Sequence, residues 1–185
     1  MRIIGGSAKG RSLFPVPGSA TRPVTDRVKE ALFNILGASV IDARFLDLFA
    51  GTGSVGIEAL SRGAAQAVFV EKSRRAVDII HKNLALTNLK ERGRVQHGDV
   101  FAYLKHEPEE PFDFIYVAPP QYEGLWLKTL QALDERPWLA PDGEIIVQIF
   151  PKELVDFELA TLEVTEQRRY GSTLLLFLSR RDKMK

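Results

Sequence analysis

Apolar positions along the chain follow two rhythms, and their alternation sets the order of the elements. Val28, Ala31, Leu32, Ile35 and Leu36 recur at three- and four-residue spacing, which predicts a helix running from Thr25 to a stop at Gly37. Phe45, Leu46, Leu48 and Phe49 form the near-continuous apolar run of a strand buried on both faces. The two rhythms then take turns: a helix from about Ser54 to Ser61, a strand from Ala67 to Val70, a helix from Ser73 to Thr87, a strand from Arg94 to His97, and a short helix from Val100 to Lys105. A strand from Phe112 to Val117 and a helix from Gly124 to Asp134 follow, and Pro141-Asp142-Gly143 reads as a turn ahead of a fifth strand, Glu144 to Ile149. Such alternation implies parallel strands with right-handed crossovers, hence a doubly wound α/β sheet. Leu162 to Arg169 and Thr173 to Ser179, joined across Tyr170-Gly171-Ser172, add a terminal antiparallel hairpin and bring the sheet to seven strands. Residues 1 to 24 break the rhythm: basic, glycine and apolar positions mix and end in Pro15, Pro17 and Pro23, which predicts a small hairpin and loop ahead of a main domain spanning 25 to 185.

At 185 residues the chain suffices for one domain with a substantial core. It has no cysteine, which excludes disulfides and thiolate metal sites, and His81, His97 and His106 lack paired ligand spacing, so no metal centre is expected. No apolar run approaches the ~20 residues that span a bilayer, so a cytoplasmic protein without membrane association is expected. The net charge of +1 conceals an uneven distribution. Residues 1 to 40 carry Arg2, Lys9, Arg11, Arg22, Arg27 and Lys29 against Asp26 and Glu30, six less two or +4, which leaves −3 for the rest. A flexible basic arm suits a polyanionic partner such as RNA; the plainer reading is a solvated terminus.

Candidate chemistry gathers around the first strand. Gly51-x-Gly53-x-x-Gly56 follows that strand and opens a helix, where a tight turn passes close to a ligand and free N–H groups point at it. Glu71 stands at the end of the second strand, where a carboxylate accepts the two ribose hydroxyls of a nucleoside. The plainer alternative gives the glycines to helix–strand packing and Glu71 to the surface. Two nucleoside ligands fit, a nicotinamide dinucleotide and S-adenosylmethionine. Asp47, near the carboxyl end of the first strand, suits an ammonium group rather than a pyrophosphate, and Asp99 could accept from an adenine amino group with Val100 packed on the ring. In the plainer alternative Asp47 only ties down the loop backbone and Asp99 only caps a helix. Val117-Ala118-Pro119-Pro120-Gln121-Tyr122 predicts a stiff, extended loop at the ligand-binding edge of the sheet. Its carbonyls at Ala118 and Pro119 would receive the amino group of a flat base, with Tyr122 available to stack; otherwise it is a proline turn with a core tyrosine.

Longer segments carry a more specific likeness. Arg2-Ile3-Ile4-Gly5-Gly6, the run from Arg22-Pro23-Val24-Thr25-Asp26-Arg27 to Asn34, Leu46-Asp47-Leu48-Phe49-Ala50-Gly51-Thr52-Gly53, Glu58-Ala59-Leu60-Ser61-Arg62-Gly63-Ala64 and Phe69-Val70-Glu71-Lys72 resemble the bacterial 16S rRNA guanine-N2 methyltransferases of the RsmD family. The resemblance implies a class I, Rossmann-like methyltransferase domain over residues 25 to 185, S-adenosylmethionine as cofactor, and 16S rRNA or the assembling small ribosomal subunit as partner; apart from it, a monomer is the favoured expectation. The resemblance maps the family's glycine loop onto Gly51 to Gly53, its ribose carboxylate onto Glu71 and its adenine-side acid onto Asp99, and beside these Asp47, Phe49, Ala50, Thr52, Lys72 and Val100 are expected to hold the cofactor. Catalysis falls to Ala118, Pro119, Pro120, Gln121 and Tyr122, and RNA phosphates to Lys9, Arg11, Arg22 and Arg27. One departure stands out. The family pattern is Asp-Pro-Pro followed directly by Phe or Tyr, whereas here Ala118 replaces the acid and Gln121 pushes Tyr122 one place late. The missing carboxylate would orient the target amine, and losing a positioned acceptor costs ~10²-fold or more in rate. A cofactor- or RNA-binding protein with weakened or lost catalysis is the corresponding alternative.

Overall fold

The computed structural model describes residues 1–18 and 24–182. Helix α1 (Asp26–Leu36) starts where Thr25 Oγ1 accepts the Val28 N–H at 3.2 Å and ends at Gly37, whose φ of +56° suits a residue without a side chain. Strand β1 (Arg44–Leu48), helix α2 (Ser54–Ser61), strand β2 (Gln66–Glu71), helix α3 (Arg74–Leu86) and strand β3 (Gly93–His97) build one half of the molecule. Helix α4 (Val100–Leu104), strand β4 (Phe112–Val117), helix α5 (Leu125–Asp134) and strand β5 (Leu139–Ile149) build the other, and strands β6 (Leu162–Tyr170) and β7 (Thr173–Arg180) close the chain.

The seven strands form one sheet in the order β3-β2-β1-β4-β5-β7-β6. The first five run parallel; β7 pairs antiparallel with both β5 and β6. The expected doubly wound fold with its terminal hairpin is therefore present. Strand order reverses between β1 and β4, so the crevice at their carboxyl ends is the switch point where such sheets bind ligands.

Side-chain alternation divides the core into two layers. Phe45, Phe69, Phe114 and Ile146 pack with α1, α2 and α3 on one face, while Leu46, Leu48, Val68, Val70 and Ile115 pack with α4 and α5 on the other. Asp47 has the parity of Phe45 and lies toward the α1–α3 side.

Two sequence expectations need correction. Pro141-Asp142-Gly143 does not precede β5 but lies within it: Phe112 pairs with Leu139 and Phe114 with Glu144, and the surplus residues are absorbed as a bulge. Trp138 and Leu139, both 2% exposed, anchor the strand upstream of the proline, and the Phe112 N–H reaches the Trp138 carbonyl at 2.8 Å. The second correction concerns the N-terminal arm, whose residues 1–13 are docked rather than flexible. Ile3 N–H to Arg11 O at 3.0 Å, Gly10 N–H to Ile3 O at 2.8 Å and Leu13 N–H to Met1 O at 3.0 Å make a loose hairpin. Ile3, Ala8 and Leu13 are buried in the α1–α3 core layer.

The fastening is ionic as well as apolar. Glu58 on α2 and Lys29 on α1 are both fully buried and lie 3.3 Å apart. The Glu58 carboxylate also accepts from Ile4 N–H at 3.0 Å, Gly5 N–H at 2.9 Å and Arg62 Nε at 2.8 Å, and Lys29 donates to the Arg2 carbonyl. Burial holds the Lys29 amine below its ordinary range, opposed by Glu58. Every charge in the cluster has a partner, which is the condition under which buried ions are tolerated.

Candidate active site

The turn after β1 is shaped by close backbone constraints. Phe49 and Gly51 both have left-handed backbones, with φ of +60° and +58°, and Gly53 N–H closes the turn on the Ala50 carbonyl at 2.8 Å. No atom lies within 4 Å of the position a side chain at Gly51 would begin to fill, so the turn is bare on that side. Its N–H donates to Glu71 Oε2 at 2.8 Å, and Ser73 N–H donates to Glu71 Oε1 at 2.8 Å. Each carboxylate oxygen keeps a further lone pair, so Glu71 is pinned beside the turn with capacity left for hydroxyl donors. Gly98 N–H binds the Glu71 carbonyl at 2.9 Å, which brings the end of β3 to the same edge.

The remaining glycine has a different reason. A side chain at Gly56 would begin 2.4 Å from Phe69 Cε1, so this position exists for close packing of α2 on β2.

Asp47 sits under the turn. It is 1% exposed and its Oδ2 accepts the Gly56 N–H at 3.0 Å, so it ties down the start of α2. Burial pushes its carboxyl well above the ordinary range, against the Gly56 hydrogen bond, with the nearby Glu71 adding to the rise. Tyr116, its register partner on β4, is likewise raised by burial and by Asp47, and donates to Gln148.

Asp99 caps α4 through Oδ1 and the Ala102 N–H at 3.0 Å, while Val100 is buried. Phe101 meets Phe49 edge-on at 6.3 Å, and Lys128 Nζ lies 4.1 Å from the Phe101 ring centre. Lys72 is exposed, and its carbonyl contacts His97 Nε2 at 3.0 Å. Thr52 is held by Asn83: Nδ2 donates to its carbonyl at 3.0 Å and to Phe14 O at 3.1 Å, while Oδ1 accepts from Phe14 N–H at 2.8 Å. The N-terminal arm is thus tied directly to the glycine turn.

Beyond β4, Ala118 and Pro119 are half-buried while Pro120, Gln121 and Tyr122 are exposed. Ala118 packs against the same core layer as Ala50 and Tyr170. Tyr122 is no core residue. It is 65% exposed, has a left-handed φ of +60°, and stacks on Phe150 with ring centres 5.3 Å apart and planes 16° from parallel. Its N–H donates to Glu153 Oε1 at 2.8 Å, and the Phe150 N–H donates to Glu153 Oε2 at 2.9 Å.

The basic residues differ in their freedom. Lys9, Arg11 and Arg27 are exposed and have no acidic partner among the described residues. Arg11 Nη1 reaches the Leu86 carbonyl at 3.4 Å. Arg2 pairs with Asp26 at 3.2 Å and Lys29 is buried, so neither adds free charge to the surface. Arg22 lies outside the described residues.

A family model described as conserved hypothetical protein 95 matches residues 1–179. The chain belongs to that family, the RsmD family. Its relatives carry the same assignment: ribosomal RNA small subunit methyltransferase D of Escherichia coli (strain K12) is 42% identical over 149 residues, 80% of this chain and 74% of that protein. YlbH of Bacillus subtilis (strain 168) is 38% identical over 175 residues, 94% of this chain and 95% of its own. The solved structure of yhhF from Escherichia coli superposes with a TM-score of 0.87 at 35% identity, covering 99% of each chain. RsmD membership removes the ground for a nicotinamide-dependent oxidoreductase.

Sequence reading missed the Lys29–Glu58–Arg62 cluster, Asn83, and the Phe150–Glu153 pair. Two of these left a trace. Lys29 shares a helical face with Leu32 and Phe33, and Asn83 shares one with Ile79 and Ile80, so each is a polar residue in an otherwise apolar stripe. Glu153 left no sign of its link to the proline loop, because its partner there, the Tyr122 N–H, is 31 residues away, while its other partner, the Phe150 N–H, is three residues upstream.

Proposed function

We propose that the protein transfers a methyl group from S-adenosylmethionine to the exocyclic N2 amino group of a guanine in 16S rRNA, free or in the assembling small subunit, in the cytoplasm. The observation that carries this reading is the juxtaposition of the bare Gly51 turn and the pinned Glu71 carboxylate at the switch-point edge that also bears the Ala118–Pro120 loop. Glu71 would accept the ribose hydroxyls, Asp99 through its second oxygen the adenine amino group, and Val100 the ring. The Phe49–Gly53 backbone and Lys72 line the same edge. Asp47 holds the turn through Gly56, which makes its role toward the ligand one of support.

When bound, S-adenosylmethionine supplies an electrophilic methyl group on a sulfonium. The chain's part is to place the guanine amine. Carbonyls at Ala118 and Pro119 accept its hydrogens, the two prolines hold those carbonyls still, and exclusion of water favours a short approach. With no carboxylate at position 118, the proton released from the amine passes to solvent, and exposed Gln121 offers an acceptor that cannot carry it away. Lys9, Arg11, Arg22 and Arg27 would bind RNA phosphates.

Ala118 supports a second reading, a member that binds cofactor or RNA but has lost useful turnover. Labelled methyl transfer to undermethylated small-subunit rRNA, by the native chain and by Ala118→Asp, separates the two. We expect measurable transfer by the native chain and a rise of up to ~10²-fold in the substituted protein. Transfer by Ala118→Asp alone supports the second reading, transfer by neither removes the first, and failure of the native chain to bind either S-adenosylmethionine or RNA removes the second.

A further inference from the structure

We propose that the Tyr122–Phe150 pair is a stacking platform for an unpaired RNA base neighbouring the target guanine, and that Glu153 is the positioning residue that builds it. The inference rests on the RNA reading above. Strand β4 lies between β1 and β5 in the sheet, the glycine turn follows β1, and Phe150 follows β5. A Tyr122 ring lying on Phe150 is therefore on the far side of the Ala118–Pro120 loop from the glycine turn. A base stacked there is not the base whose amine faces the methyl donor.

The local geometry is built, not incidental. A tyrosine with left-handed φ is an uncommon, strained backbone. Here the inserted Gln121 delays the aromatic by one place, and the turn at Tyr122 swings its ring back onto β5. Both oxygens of Glu153 are committed to holding that turn, one on the Tyr122 N–H and one on the Phe150 N–H. Phe150 covers one face of the tyrosine, and 65% of Tyr122 is open to solvent, which leaves the opposite face for a third ring. Aromatic faces of this kind hold bases without reading their sequence.

Cations lie alongside for the flanking phosphates. Lys152 is exposed next to Phe150 and Glu153. Ile149 pairs with Leu174 and Leu174 with Arg169, so the β6–β7 turn stands at the same edge. Among the described residues the Arg169 guanidinium bonds the Gly171 carbonyl of its own turn, at 3.0 Å, and has no acidic partner. An exposed aromatic face flanked by unpaired cations fits single-stranded nucleic acid.

The test compares the native chain with Tyr122→Leu, Glu153→Ala and the double variant in methyl transfer to undermethylated small-subunit rRNA. Tyr122→Leu should raise KM for the RNA by roughly 10- to 100-fold, far more than it lowers kcat, and leave the Kd for S-adenosylmethionine in place. Glu153→Ala should shift KM in the same direction, and the double variant should be no worse than Tyr122→Leu alone, since Glu153 acts through the ring. An unchanged KM in Tyr122→Leu overturns the platform, as does a loss confined to kcat, which would put the ring on the target base. Additive losses in the double variant overturn the positioning role. Absence of transfer by the native chain counts against the methylation reading instead. RNA affinity by fluorescence anisotropy then decides the platform: equal Kd values for native and Tyr122→Leu chains overturn it, and a 10-fold weaker Kd supports it.

Discussion

At the scale of single residues, the acid beneath the glycine turn is 1% exposed and carries a carboxyl raised well above the ordinary range by burial. Asp47 stands at the carboxyl end of β1 as expected, and its Oδ2 accepts the Gly56 N–H beneath the turn. A strand-end acid shows the same sequence whether it meets a ligand cation or a helix N–H, so the pattern alone could not choose. Its environment makes a testable statement. Burial raises the Asp47 proton affinity in the folded chain above that in the unfolded chain. The unfolded chain therefore gives up this proton first as pH rises, and the folded state loses stability from the ordinary carboxyl range up to the folded pKa. Asp47→Asn keeps an oxygen for Gly56 and removes the titration. Urea unfolding from about pH 4 to about pH 8 should show the native chain losing stability relative to the variant; parallel profiles would contradict the assignment.

At the scale of elements, most of the sheet was legible because strands buried on both faces leave continuous apolar runs, and helices between them leave a single stripe. The bulge in β5 was not, since Pro141-Asp142-Gly143 carries every local sign of a turn while the buried Trp138 and Leu139 that extend the strand lie upstream of it. The glycine motif divides by mechanism: Gly51 borders open space and Gly56 meets the Phe69 ring. Gly56→Ala should thus cost ~1–3 kcal/mol through overpacking of α2 against β2, measurable by chemical denaturation. Phe69→Leu in the same chain should recover part of that loss. A Gly56→Ala variant as stable as the native chain would show that the contact relaxes freely.

At the scale of the whole molecule, the N-terminal arm and the glycine turn form one structure. Glu58, Lys29 and Asn83 fasten the arm to α1, α2 and the turn, partners separated by about thirty to seventy residues that no local pattern reveals. Docking leaves Lys9 and Arg11 exposed on a fixed surface, so their charges should act at defined places on a polyanion. Reversing both to Glu should weaken RNA binding, flatten its salt dependence by roughly two phosphate contacts, and leave thermal stability nearly unchanged. An unaltered affinity and salt slope would remove the arm from the RNA surface. The central claim is that this chain, with Ala118 in its proline loop, still methylates a guanine amine of small-subunit rRNA. Incubating undermethylated small-subunit rRNA with the native chain and methyl-labelled S-adenosylmethionine, then digesting to nucleosides for mass spectrometry, tests it directly. The label should be recovered in N2-methylguanosine; label in another nucleoside, or none in the RNA, would contradict the account.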